Sequence, residues 1–236
     1  MARQKIFRFK QFSVLNDKTA MKVGTDGVLL GAWCDVTAAK RVLDVGTGCG
    51  VIALMIAQRN HEAIIDAIDI EEDAVEEAKE NFYNSPWAVR LTVKRVDFND
   101  FTARARYDLI VSNPPFFTNG VLPANDARNL ARHCYSLSFQ ELITHGKSLM
   151  SPDGRLAVIT PVEAELLIRQ CVVLNGMGIK RLTHVVPVEN AEPKRLLWEL
   201  VNGDASTVHD TIIVQNENRD YTQQYISLTR DFYLKM

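Results

Sequence analysis

Short apolar runs alternate with helical patterns along the middle of the chain, from Arg41 to Thr160. Residues 42–45, 63–68, 91–96, 109–111 and 156–160 read as strands, the first a fully apolar run broken only by Asp44. Residues 51–58 form an apolar helix. A second helix, about 72–84, puts Val75, Ala78 and Phe82 on one face at i, i+3, i+7 spacing and acids on the other. Ser138-Phe139-Gln140-Glu141 is a capping box that opens a helix over 139–149, and Pro152-Asp153-Gly154 turns the chain into the strand at 156–160. A helix over 163–174, stopped by Asn175-Gly176, is followed by strand-like runs at 182–188 and 196–201, expected to pair as an antiparallel hairpin at the sheet edge. Strands alternating with helices predict βαβ units, hence an α/β fold with a mostly parallel sheet and right-handed crossovers. The first 40 residues read as a basic and aromatic N-terminal extension, with Phe7, Phe9 and Phe12 alternating as in a half-exposed strand or hairpin. Residues 41–236 read as a single compact unit, with no internal repeat and no Pro/Ser-rich linker.

Composition narrows the class. With 47% apolar and 24% charged residues the chain is globular. Four cysteines, at positions 34, 49, 134 and 171, form no C-x-x-C and read as reduced thiols. The N-terminus lacks the apolar segment of a secretory signal and the longest apolar run, 51–57, is far too short to span a bilayer, so a cytoplasmic protein without membrane contact is expected. None of the five histidines makes an H-x-x-x-H pair and no G-x-S-x-G occurs, so neither a metal site nor a hydrolase triad is expected. The net charge of −2 excludes a uniformly basic nucleic-acid binder, but the charge is unevenly spread. Residues 71–80 hold six acids and one base, expected on a solvated helix face; residues 1–22 hold six bases and one acid. A local basic footprint remains open.

The chemistry concentrates in loops that follow strands. Asp44-Val45-Gly46-Thr47-Gly48-Cys49-Gly50 leaves the first strand, where an α/β sheet holds its ligand. A dinucleotide loop is G-x-G-x-x-G; here Val51 stands where the third glycine would fall. Asp44 would repel a pyrophosphate and attract an ammonium group. Asp69 ends the second strand, placed to accept from ribose hydroxyls. Asp97-Phe98 follows the third strand, where the carboxylate can accept from an exocyclic amine while the ring packs on adenine. Ammonium, ribose and adenine together describe S-adenosylmethionine. Ser112-Asn113-Pro114-Pro115-Phe116 follows the fourth strand. Two prolines fix the loop and expose carbonyls, so the Asn113 side-chain carbonyl and the Pro114 backbone carbonyl can accept from one planar NH2 group. Such bonds aim the nitrogen lone pair and support the charge that develops as it is alkylated. Phe116 would stack on the base carrying that nitrogen.

These residues resemble class I S-adenosylmethionine-dependent methyltransferases that act on amino groups, with N-P-P-F as the catalytic motif. The segments 22–33, 127–133 and 228–235 narrow the resemblance to the bacterial tRNA1(Val) adenine-37 N6-methyltransferases, nearly end to end. The resemblance implies a Rossmann-like fold: a seven-stranded, mostly parallel sheet with an antiparallel edge hairpin and helices on both faces. It implies methyl transfer from S-adenosylmethionine, leaving S-adenosylhomocysteine, to the N6 amine of a tRNA adenine. It places Asp44, Gly46, Gly48, Asp69, Asp97 and Phe98 at the cofactor and Asn113, Pro114, Pro115 and Phe116 at the target amine. Gly24, Thr25 and Asp26 would cover the methionine end of the cofactor, or simply start a helix. Arg128, Arg132 and His133, with Arg3, Lys5, Arg8 and Lys10, would contact RNA; a solvated helix face explains the first three equally well. N-P-P-F is shared with enzymes that methylate guanine N2 in rRNA and glutamine in release factors, so it specifies the chemistry and not the substrate. A non-catalytic RNA-binding protein on the same fold is a further alternative, disfavoured by the intact Asn113. Oligomeric state is open, with a monomer compatible.

Overall fold

The computed structural model describes residues 5–19, 22–114 and 137–235. Of the candidate site residues named above, Arg3, Pro115, Phe116, Arg128, Arg132 and His133 lie outside them. The first described elements are a short antiparallel hairpin, β1 (Ile6–Arg8) and β2 (Ser13–Leu15), and helix α1 (Thr25–Trp33). The alternation expected from Arg41 onward then follows: β3 (Arg41–Val45), α2 (Val51–Arg59), β4 (Ile64–Asp69), α3 (Glu72–Tyr83), β5 (Leu91–Arg95) and β6 (Tyr107–Ser112). Beyond the undescribed stretch come α4 (Phe139–Leu149), β7 (Met150–Pro161), α5 (Glu165–Leu174), β8 (Met177–Val188), β9 (Arg195–Asn202), β10 (Val208–Gln215) and α6 (Gln223–Thr229).

One eight-stranded sheet carries the fold, in the order β10-β8-β9-β7-β6-β3-β4-β5. Every pairing is parallel except those of β9, which runs antiparallel to both β7 and β8. Two expectations are corrected here. The sheet has eight strands instead of seven, and the β8–β9 hairpin is interior, because β10 pairs outside β8. Strand β10 escapes a reading by periodicity because its first half, Val208-His209-Asp210-Thr211, is exposed and only Ile212 and Val214 reach the core. The Pro152-Asp153-Gly154 turn lies inside β7, where the pairing with β6 jumps from Tyr107↔Met150 to Leu109↔Arg155. A Cβ on Gly154 would stand 2.8 Å from the Tyr107 carbonyl oxygen, so the backbone closes on itself there.

Side chains alternate between two cores. Val42, Ile65 and Val111 face α1 and α2, while Leu43, Ile68 and Ile110 face α4 and α5. From Gly27 onward helix α1 is apolar and buried, and it packs on α2 so closely that a Cβ on Gly31 would lie 2.9 Å from the Met55 sulfur. The phenylalanines of the hairpin also go inward: Phe9 and Phe12 are buried and stacked on each other at 4.6 Å, and Phe9 forms a backbone bridge with Tyr233. The two chain ends therefore close over the same core. Among the described residues no helix is long and apolar enough to cross a membrane.

Candidate active site

Strands β3, β4, β5 and β6 all end at one edge of the sheet, and β3 and β6 are neighbours whose successors, β4 and β7, lie on opposite sides of the pair. That divergence opens the crevice where open α/β sheets bind ligands. Asp44, Asp69, Asp97 and Asn113 each stand at or just beside the ends of these four strands.

The loop after β3 owes its shape to glycines in left-handed backbone, with φ of +69° at Gly46 and +56° at Gly48. Built Cβ atoms at both positions would meet nothing within 4 Å, so this backbone lines open space. Gly50 has a different reason: its φ is +82° and a Cβ there would stand 2.5 Å from the Phe82 ring. The Gly46 and Thr47 N–H groups both donate to the Ile68 carbonyl, tying the loop to β4. Ser112 Oγ donates to the Val45 carbonyl at 2.9 Å, tying it to β6.

Asp44 is fully buried under the start of α2. Its Oδ2 accepts from the Thr47 hydroxyl at 2.6 Å and from the Ala53 N–H at 3.3 Å, while Oδ1 is buried without a partner among the described residues. Burial pushes its carboxyl up to about 7; the Thr47 and Ala53 donors draw it back and the Asp69 charge adds to the rise. The native chain thus holds a proton that the unfolded chain releases near the ordinary value of 3.8. The resulting stability is fully present below about pH 4 and is lost as pH rises through about 7. Thermal unfolding of the ligand-free protein is expected to show this decline, and Asp44→Asn to lack it; parallel pH profiles for the two proteins would refute the assignment.

Asp69 Oδ2 accepts from the Gly48 N–H at 2.9 Å and Oδ1 from the Glu71 N–H at 3.0 Å, so the carboxylate joins the glycine loop to the start of α3. Burial raises its pKa, with those N–H groups opposing. Asp97 Oδ1 accepts from the Asn99 N–H at 2.9 Å, capping the short turn after β5. The Phe98 ring is buried and packs edge-on against His145 of α4, centroids 4.8 Å apart.

Asn113 is half-buried, and its Oδ1 is a buried acceptor without a hydrogen-bond partner among the described residues. Its Nδ2 lies 3.9 Å from the Cβ position of Gly27, in the first turn of α1. Pro114 beside it is buried. Gly24 caps α1 and Thr25 begins it, both exposed. Asp26 Oδ2 accepts from Arg195 Nε at 2.8 Å, which turns the carboxylate toward β9. Of the basic residues in the hairpin, Lys5 and Arg8 are exposed, and Lys10 donates from Nζ to the Arg230 carbonyl at 2.5 Å.

Helix α3 corrects the reading of a wholly solvated acidic face. Glu77 is buried, and its carboxylate accepts from the backbone N–H groups of Asp17, Lys18 and Thr19 at 2.6, 2.9 and 3.1 Å. Burial alone would raise its pKa, and these donors hold it below the ordinary range. One turn on, Asn81 accepts from the Leu15 N–H at 2.7 Å and donates to the Cys49 carbonyl at 2.8 Å. The strap after β2 and the glycine loop are therefore fixed to one helix. A glutamate in an acidic run gives no sign of this; only the i, i+4 spacing of Glu77 and Asn81 on the Ala78 side of the helix hinted at it.

A family model described as the methyltransferase small domain matches residues 22–166, spanning the glycine loop, Asp69, Asp97 and Asn113. The chain belongs to this family. Two tRNA1(Val) (adenine(37)-N6)-methyltransferases are similar over nearly the whole length of this small-domain methyltransferase. That of Parabacteroides distasonis is 42% identical over 233 residues, covering 98% of each chain. That of Aliivibrio fischeri is 44% identical over 234 residues, covering 98% of this chain and 99% of the relative. Among solved structures, a predicted O-methyltransferase from Agrobacterium tumefaciens aligns with a TM-score of 0.67 at 19% identity, over 88% of this chain and 96% of that one. The last likeness supports the Rossmann-like fold alone.

Proposed function

We propose that the chain methylates the N6 amine of adenine-37 in tRNA1(Val), using S-adenosylmethionine and releasing S-adenosylhomocysteine. The observation that carries the reading is the buried Oδ1 of Asn113 at the end of β6, which has no hydrogen-bond partner among the described residues. A buried carbonyl left without a donor is costly, on the order of 1–3 kcal/mol, and an incoming amine N–H would relieve that cost. The neighbouring loop fits the cofactor: open backbone at Gly46 and Gly48, and a second acceptor without a partner among the described residues, Asp44 Oδ1, suited to an ammonium group. The cofactor supplies an electrophilic methyl group. Asp44 would orient the amino-acid end, and the Gly48–Asp69 pair would present a carboxylate to ribose. Asp97 would accept from the adenine amine of the cofactor.

At the acceptor, Asn113 Oδ1 would take one N–H of the target amine and the Pro114 carbonyl the other, aiming the lone pair at the methyl group. The nitrogen loses its proton readily once alkylated, so the site needs acceptors and not a strong base. The hairpin residues Lys5 and Arg8, with Arg3, Arg128, Arg132 and His133, would provide phosphate contacts around this centre. Near-full-length similarity to two enzymes named for tRNA1(Val) adenine-37 supports the substrate. The same reading makes the protein a cytoplasmic enzyme.

The deciding experiment incubates the protein with labelled S-adenosylmethionine and total tRNA from a strain lacking the gene, then maps the modified nucleoside. N6-methyladenosine at position 37 of tRNA1(Val) is expected. N2-methylguanosine in rRNA, or a labelled release factor, would overturn the reading.

A further inference from the structure

We infer that the outward face of helix α5 is an interface with a second copy of this chain, formed by an antiparallel, two-fold contact of helix on helix. Helix α5 buries Ile168, Cys171 and Val172 in the core that also holds Leu182 and Trp198. Its opposite face is apolar as well: Leu166, Leu167, Val173 and Leu174 are 70, 46, 76 and 78% exposed. The neighbouring surface helices are built differently. The exposed positions of α3 include Glu72, Asp73, Glu76 and Glu80, and those of α4 are Gln140, Glu141, Thr144 and Ser148. A surface helix ordinarily turns such polar residues outward, so a second apolar face asks for a second partner. Charge is also drawn off this face. Arg169 pairs with Glu165 at 2.9 Å and lies over the Trp198 ring at 5.7 Å, on the core side of the helix.

The order of residues on the outward face favours a copy of itself as that partner. Gln170 stands at the centre, with Leu167 and Val173 three residues to either side and Leu166 and Leu174 four residues to either side. Two copies crossing antiparallel about an axis at Gln170 therefore set Leu166 against Leu174 and Leu167 against Val173. A two-fold contact requires this self-complementarity. Gln170 meets its own copy, and a side-chain amide both donates and accepts, so the pair satisfies itself. One polar position in an apolar seam also fixes the register. The ends of the helix agree in charge. Exposed Glu163 precedes it, while at the far end Lys147 Nζ donates to the Asn175 carbonyl. Antiparallel copies bring acid toward base at both ends and oppose the two helix dipoles.

The area sets the strength. The four side chains present a few hundred Å² of apolar surface, the size at which the largest patch of a monomer is often functional. Two such faces together bury on the order of 1,000 Å², the lower bound for a specific contact, so the dimer is weak and forms with concentration. It leaves the basic hairpin open. Ile168 of α5 belongs to the core on one face of the sheet, and Phe9 and Phe12 of the hairpin to the core on the other.

Sedimentation velocity on the full chain, in reductant and over about 1–100 µM, is expected to show an average mass that rises with concentration toward twice the monomer value. Leu174→Glu and Val173→Glu each place a charge at an exposed position. Both should keep the wild-type melting temperature in dilute solution and the wild-type cofactor affinity, and both should stay monomeric throughout. Gln170→Cys, at the axis, should form a disulfide-linked dimer about tenfold faster on oxidation than Lys79→Cys on α3, because its partner thiol is held nearby. A wild type that is monomeric at every concentration, a dimer that survives both charged substitutions, or equal cross-linking of the two cysteine variants would overturn the inference. Association seen only when tRNA is added would also overturn it, in favour of two proteins sharing one RNA.

Discussion

Asn113→Ala is expected to lower kcat on tRNA by about 10²–10³ while leaving cofactor affinity near that of the wild type. The substitution removes an acceptor that the fold has already desolvated: Oδ1 is buried and without a partner among the described residues, so its bond to an incoming amine replaces no existing bond. That preorganisation matters more as positive charge builds on the nitrogen than when the neutral amine first binds. The loss should therefore fall on kcat more than on KM. Cofactor affinity is spared because the residues proposed to hold the cofactor stand on β3, β4 and β5, on the other side of β6. Single-turnover rates with saturating tRNA, beside calorimetry with the cofactor, measure both quantities. Full turnover by the variant would end the proposed role.

Asp69→Ala should act on the other quantity, weakening cofactor binding by about 10²-fold or more. A carboxylate accepting from two hydroxyls is worth about 1.5–3 kcal/mol per bond. The same carboxylate holds the Gly48 N–H at 2.9 Å and the Glu71 N–H at 3.0 Å, so its removal also releases the loop that the cofactor must meet in one conformation. Asp69→Asn keeps an oxygen for one of these donors and should lose less. Unchanged calorimetric affinity in Asp69→Ala would contradict the assignment. The two variants form a complementary pair, one defective in turnover and the other in cofactor binding.

Glu77 and Asn81 show how support for the site is distributed. Their contacts join segments 60 and 66 residues apart in sequence, so the strap after β2 and the turn around Cys49 are positioned by a helix proposed for neither cofactor nor substrate contact. The acids around Glu77, at positions 72, 73, 76 and 80, are exposed as expected, and only the one that turns inward has a structural task.

Local order was legible from the chain alone. Periodicity placed β3, β4, β5, β6, α2 and α3 to within a residue or two at most boundaries, and the capping box set the start of α4 at Phe139. Turn chemistry placed Gly46, Gly48 and Asn113 at strand ends, because left-handed backbone and proline-locked φ are properties of the residues themselves. The side a long side chain serves was not legible. Asp26 and Arg195 are 169 residues apart, Phe98 and His145 meet across the sheet edge from β5 to α4, and β10 borrows its core contacts from β8. Such pairings depend on which distant element arrives next to a residue, and close packing leaves each buried group room for one partner only. Sequence determined the chemistry available at the edge of the sheet; tertiary structure decided which of those groups face the crevice and which are held by one another.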